Sequence, residues 1–229
     1  PEPQPASENH LSCFTSDCKN LSGVFDLWPD DEINKALNQL DPQCLEEVYE
    51  VCKSEARLVD SFSELDDDHC FEGLFEQAKE FHIEQIKSLP KTSFFYHSGR
   101  KSLSRDQKKG LSILMNAYKG TKDNYGVVII GRASKGGNPN KNAEISERRA
   151  QNIESEIHGI MGDDFTSKYV YFGSKAPQLN KEDADYIGLP SDDYKNIRTS
   201  GAKRDDYSLR LNQSVIVVLY ELNENPFGL

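Results

Sequence analysis

Residues 127–150 read VVIIGRASKGGNPNKNAEISERRA, and how this stretch is read decides the fold. The β-branched run Val127–Ile130 suits a buried strand, with Tyr125–Ile130 as its extent. Glycine and asparagine then break the chain into a loop. Beyond it Ala150, Ile153, Ile157 and Ile160 recur at helical spacing. A loop between strand and helix is where phosphate is often cradled. A Walker loop, however, needs Lys and then Ser or Thr after its last glycine, and here Gly136 and Gly137 are followed by Asn138 and Pro139. The dinucleotide spacing GxGxxG is also missing, so nucleotide binding is set aside. The remaining chemistry is recognition of a small charged group by Arg149, near the helix start, with loop amides and asparagines. An arginine can hold a carboxylate through two parallel hydrogen bonds. On spacing alone, a solvated or salt-bridged helix residue fits Arg149 equally well.

Working outward, the same alternation continues. SFFYH, residues 93–97, is a short strand, and Ser104 to Gln107 form a capping box that opens a helix with Leu111, Leu114, Met115 and Tyr118 on one face. KYVYF, residues 168–172, is a third strand and residues 214–220 a fourth, separated by a polar loop of about 40 residues with one short helix. Strand, helix, strand, helix, strand, loop, strand predicts helices packed on one mixed sheet.

The first third of the chain differs. Residues 1–28 are an extended, poorly ordered lead, polar and proline-rich at its start, and 29–90 carry three helical patterns. One holds Ile33, Leu37 and Leu40, the second runs from Pro42 to about Phe62, and the third places Phe71, Leu74, Phe75, Ala78, Phe81 and Ile86 in a stripe. Three parts follow: a lead (1–28), a helical domain or arm (29–90) and an α+β domain (91–229). All five cysteines, Cys13, Cys18, Cys44, Cys52 and Cys70, lie before residue 91. No CxxC pair or matching histidine pair suggests zinc, so disulfides are the expected use. Cys44 and Cys52 share one helix face about 12 Å apart, beyond the roughly 7 Å a bridge tolerates, so each must reach another element. Two bridges and one leftover thiol are expected, against a reading of all five as small buried hydrophobes.

Composition excludes several functions. With 229 residues and 36% hydrophobic content a core can form, while a formal net charge of −11 opposes a nucleic-acid partner. The longest apolar run, SVIVVLY at 214–220, is far short of the roughly 20 residues of a membrane-spanning helix. The opening PEPQPASENHLS lacks Met and any signal-like region, and reads as a mature or trimmed chain. His10, His69, His82, His97 and His158 fall in different elements with no HExxH, and GxSxG is absent, so no catalytic residue, metal ligand or cofactor site is assigned.

Residues 93–221 resemble the OmpA-like peptidoglycan-associated domain family. Gly131 and Gly137 take the two motif glycines, Asn142 the asparagine, Ile145 and Ser146 the Leu-Ser pair, and Arg149 and Ala150 the Arg-Ala pair; SERRAQ opens the helix. FFYHSGRKSLSRDQKKGLSIL resembles the first strand and capped first helix. The resemblance implies an α+β fold, a βαβαββ sandwich with a mixed sheet and helices on one face, behind the cysteine-containing helical domain. It also implies a periplasmic location, with or without outer-membrane association, and non-covalent binding of the diaminopimelate of peptidoglycan stem peptides. On this basis Arg149, Asn142, Ser134 and Gly137 are the candidate peptidoglycan-binding residues. The motif Thr-Asp is replaced by Ala133 and Ser134, which removes the acidic half of the ligand clamp. Losing one charge-assisted hydrogen bond, about 1.5–3 kcal/mol, weakens binding roughly tenfold to a hundredfold. Lys141 stands where an aromatic is expected, and Gln213 and Ser214 where paired arginines are expected. Glu144, or Asn138 and Asn140 with Asn142, are candidates to compensate. Two functions stay open: a cell-wall-binding protein with weakened association, and a scaffold subunit of an envelope-spanning secretion or flagellar complex, contacting other envelope proteins through the helical arm.

Overall fold

A computed structural model describes residues 83–174, 178–189, 194, 195, 197, 207–224 and 227. The expectations for the lead and for the cysteines, and most of the 29–90 arm, lie outside the described residues.

Four strands form one mixed sheet: β1 (Lys91–Phe95), β2 (Tyr125–Gly131), β3 (Ser167–Tyr171) and β4 (Ser214–Glu221), in spatial order β1-β4-β2-β3. β4 runs antiparallel to both neighbours, pairing Lys91 with Val218 and Tyr125 with Glu221. β2 and β3 are parallel, Val127 opposite Ser167, and a parallel pair requires a long crossover. Helix α2 (Pro139–Met161) supplies it, while α1 (Arg105–Tyr118) crosses from β1 to β2 through a 3-10 segment, Lys119–Asn124. The first strand therefore spans 91–95, two residues earlier than the sequence suggests; Tyr96 still donates its backbone N–H to the Gln213 carbonyl at 2.8 Å, so the pairing fades gradually.

Local chemistry sets the helix starts. Ser104 accepts from the Gln107 N–H and Gln107 returns the bond to the Ser104 N–H, closing the expected capping box of α1. The Asn138 side chain accepts from the Asn140 and Lys141 N–H groups at the start of α2. α2 thus begins earlier than expected. SERRAQ does not open the helix, and Arg149 lies about three turns inside it.

Each helix buries its apolar stripe on one face of the sheet. Leu111 and Met115 of α1 and Ala150, Ile153, Ile157 and Met161 of α2 pack with Phe94, Val127, Ile129, Val215, Val217 and Leu219. The alternate strand residues Val128, Ile130, Ile216 and Val218 are fully buried as well. Continuous apolar strands such as VVII and VIVVL are the mark of a sheet covered on both faces. On the second face Tyr194 packs on Phe95, ring centroids 5.3 Å apart, and Phe227 on Tyr220 at 5.8 Å. Among the described residues of the polar β3–β4 connection, expected to hold one short helix, are α3 (Lys181–Tyr186) and α4 (Tyr207–Leu211). Asn212 ties it down, accepting from the Leu179 N–H at 2.9 Å and donating to the Leu179 and Ser208 carbonyls at 2.8 Å each. Leu179, Ala184, Ile187 and Leu189 from this connection are buried.

Candidate functional site

The motif residues cluster where β2 ends and α2 begins, because Gly131 lets strand and helix touch. A Cβ on Gly131 would lie 2.3 Å from the Ser146 carbonyl oxygen, a distance that only glycine permits. Ser146 consolidates the contact by donating to the Ala143 carbonyl at 2.8 Å and accepting from the Gly173 N–H at 3.0 Å, which joins the loop after β3 to α2.

The loop from 132 to 138 is closed onto itself and onto its neighbours. Asn142 donates through Nδ2 to the carbonyls of Ser134 (3.0 Å) and Gly136 (2.9 Å). Gly137 turns the chain with φ +94°, in the region that favours glycine. The Ala133 N–H donates to the Gly173 carbonyl at 2.9 Å, and Gln178 donates to the Ala133 carbonyl at 3.3 Å. Ala133 and Ser134, at the motif's Thr-Asp positions, are buried.

Arg149 is 1% exposed. Its Nε donates to the Arg100 carbonyl and its Nη1 to the Arg132 carbonyl, both at 3.0 Å, so the side chain joins the β1–α1 segment to the end of β2. The guanidinium carbon sits 4.6 Å from the centroid of the Tyr96 ring. Burial pulls the Arg149 guanidinium down to about 10, opposed by Tyr96. The same burial pushes the Tyr96 phenol well above its usual range, and its hydroxyl makes no hydrogen bond among the described residues. Arg132 is fully buried, 5.1 Å from the Phe172 ring centroid, and burial lowers it to about 9 against the pull of Asp183.

The four candidates therefore come together, with three of them engaged in holding the backbone: Arg149 bridges carbonyls, Asn142 closes the loop and Gly137 supplies its turn. Of the residues weighed as compensating acceptors, Glu144 is paired with Arg148 at 3.0 Å and Lys101 at 3.3 Å, and Asn138 caps α2. Gln213 donates to the Tyr96 carbonyl at 3.3 Å, and the Ser214 hydroxyl is buried with no hydrogen bond among the described residues. Tyr96 was not singled out in the sequence, although an aromatic at the end of FFY is its only signal. Beside Arg149 the β1–α1 segment encloses an open hollow of about 610 Å³, whose lining includes His97, Arg100 and Lys101. Among the described residues no group of three His, Cys, Asp or Glu side chains is placed to hold a metal, and no helix is long and apolar enough to cross a membrane.

Neither a family model nor a curated relative matches the sequence. Among solved structures, the chain is similar to the peptidoglycan-associated lipoprotein of Burkholderia pseudomallei (14% identity, 56% of this chain and 89% of that one, TM-score 0.41). It is also similar to the OmpA-like domain of FopA1 from Francisella tularensis (18%, 58% and 75%, TM-score 0.35) and to the periplasmic domain of Helicobacter pylori MotB (8%, 58% and 77%, TM-score 0.40). The described elements run β1-α1-β2-α2-β3-α3-α4-β4 on one mixed sheet, the α+β arrangement expected from the sequence.

Proposed function

We propose that this chain is a periplasmic cell-envelope protein whose OmpA-like domain serves as a scaffold, with peptidoglycan stem-peptide association weak or lost. One observation carries this reading: the motif arginine, Arg149, is buried and spends its Nε and Nη1 donors on the carbonyls of Arg100 and Arg132. A guanidinium so buried and anchored offers little surface to a ligand carboxylate, and no carboxylate stands at position 134 to receive an ammonium group. In this reading the chain has no enzymatic role, residues 91–229 are the structural domain, and 29–90 form a disulfide-stapled arm that contacts other proteins of an envelope-spanning assembly.

The hollow beside Arg149 favours a second reading, residual stem-peptide binding through the exposed Arg100 side chain. Calorimetric titration with a diaminopimelate-containing stem peptide separates the two. The scaffold reading expects no saturable heat from the native chain. Saturable binding by the native chain that vanishes in Arg100→Ala would overturn it in favour of a cell-wall anchor.

A further inference from the structure

The opposite end of β2 carries a second surface feature, unrelated to Arg149. Tyr125 opens β2 and Gly131 closes it, so about 20 Å separate this end from the motif loop. Two adjoining hollows of about 380 and 440 Å³ lie here, sharing Tyr125 and Glu221. The larger adds Asp123 and Leu222, the smaller Tyr118, Tyr220 and Glu224.

The aromatic wall is held in place before any ligand arrives. Tyr118 and Tyr125 meet edge to face with centroids 5.0 Å apart, and Tyr220 stands edge to face against buried Phe227 at 5.8 Å. Gly126 makes room for Tyr220, since a Cβ there would lie 2.7 Å from its ring and hydroxyl. Glu221 and Glu224 line these hollows with Tyr125 and Tyr118, are exposed and make no ion pair among the described residues. Asp123 lies within electrostatic reach of Lys122, which is itself bonded to Asp164. Leu222, 37% exposed, adds an apolar step beside the carboxylates.

Half-buried tyrosines bordered by exposed carboxylates suit cations that carry apolar stems. Ring faces attract ammonium and guanidinium groups, and the rings also cover their methylene chains. Two hollows in series exceed one side chain and suit an extended segment. The net charge of −11 would draw a basic partner from a distance. We propose that the groove formed by Tyr118, Tyr125, Glu221, Glu224 and Asp123 is a docking site for an extended lysine- or arginine-bearing segment of a partner protein.

The test uses the full chain and a peptide of four Lys-Gly repeats, with its Gln-Gly counterpart as the neutral arm, at about 150 mM salt, where bulk attraction is screened beyond about 8 Å. The double variant Glu221→Gln with Glu224→Gln is expected to weaken the lysine peptide at least tenfold. Asp106→Asn with Glu182→Gln removes the same charge from exposed sites at the other end of the sheet, and is expected to change affinity less than twofold. Tyr125→Leu, checked for folding by circular dichroism, is expected to weaken binding at least threefold. Equal loss in the two double variants, or undiminished binding by Tyr125→Leu, overturns the proposal, as does equal binding of the neutral peptide. None of these outcomes depends on whether stem peptides bind near Arg149.

Discussion

Arg149 stacks its guanidinium over the ring of Tyr96, 4.6 Å from Cζ to ring centroid, while its Nε and Nη1 reach main-chain carbonyls on two different segments. A ligand-binding arginine keeps donors turned to solvent; this one faces the protein. The expected consequence is that Arg149→Ala acts on stability. It would remove one donor each from the Arg100 and Arg132 carbonyls and uncover the Tyr96 ring, at about 1–3 kcal/mol for a buried bond lost. Urea unfolding should show a loss of about 3 kcal/mol. Arg149→Lys, with a single ammonium in place of the planar fork, should recover less than half of it.

The fold was legible because its signals are local. Val127–Ile130, the Ser104–Gln107 box and the spacing of Ala150, Ile153 and Ile157 each specify an element without help from the rest of the chain. The role of Arg149 was not legible in the same way. Its motif position is the same whether the guanidinium faces a ligand or two carbonyls, and only the tertiary placement of Arg100 and Tyr96 distinguishes them. The covered second face had a signal, unbroken apolar runs in β2 and β4, but the polar composition of the connection that covers it masked the few residues, such as Leu179 and Ile187, that do the covering.

Gly131 and Ser146 set the distance between β2 and α2. A methyl group on residue 131 would meet the Ser146 carbonyl at 2.3 Å, against backbone that has no rotamer to change. Gly131→Ala should therefore displace α2 from the sheet and cost about 3 kcal/mol, the upper part of the range for overpacking. The displacement would also break the Ser146 bond to the Gly173 N–H, so hydrogen exchange should show lost protection at Gly173 as well as a lower urea midpoint.

Asn212 is the knot that holds the β3–β4 connection over the second face. Its three bonds to Leu179 and Ser208 are side chain to backbone, and those to Leu179 are buried. Asn212→Ala should cost about 2–3 kcal/mol. Because Leu179, Ala184, Ile187 and Leu189 of the connection are buried, loosening it should expose apolar surface. A dye that fluoresces on apolar surface should brighten with the variant under conditions where the native chain leaves it dark. Asn212→Asp keeps the acceptor to the Leu179 N–H but turns an oxygen on the Leu179 and Ser208 carbonyls, and should destabilise at least as much as Asn212→Ala.

Lys122 and Asp164 give the fold a dependence on pH with a definite sign. Both carboxylate oxygens of Asp164 lie 2.7 Å from the Lys122 ammonium, and this bond is the first cause of both shifts: the carboxyl is held below its usual value and the ammonium above its own. A lowered carboxyl stabilises the fold above its unfolded value, about 3.9, and the contribution disappears as pH falls through the folded value. A raised ammonium stabilises below its unfolded value, about 10.4, and loses its effect as pH rises through the folded one. The pair therefore acts between about pH 4 and pH 10. Melting temperatures of the native chain and Asp164→Asn should differ at pH 7 and converge below about pH 3. Since both groups are at the surface, the pH 7 difference should be small and should shrink further in about 1 M salt, where charges are screened beyond about 3 Å. A difference that persists unchanged at pH 2.5 would mean that Asp164 acts through the backbone of its turn, and that its pairing with Lys122 is incidental.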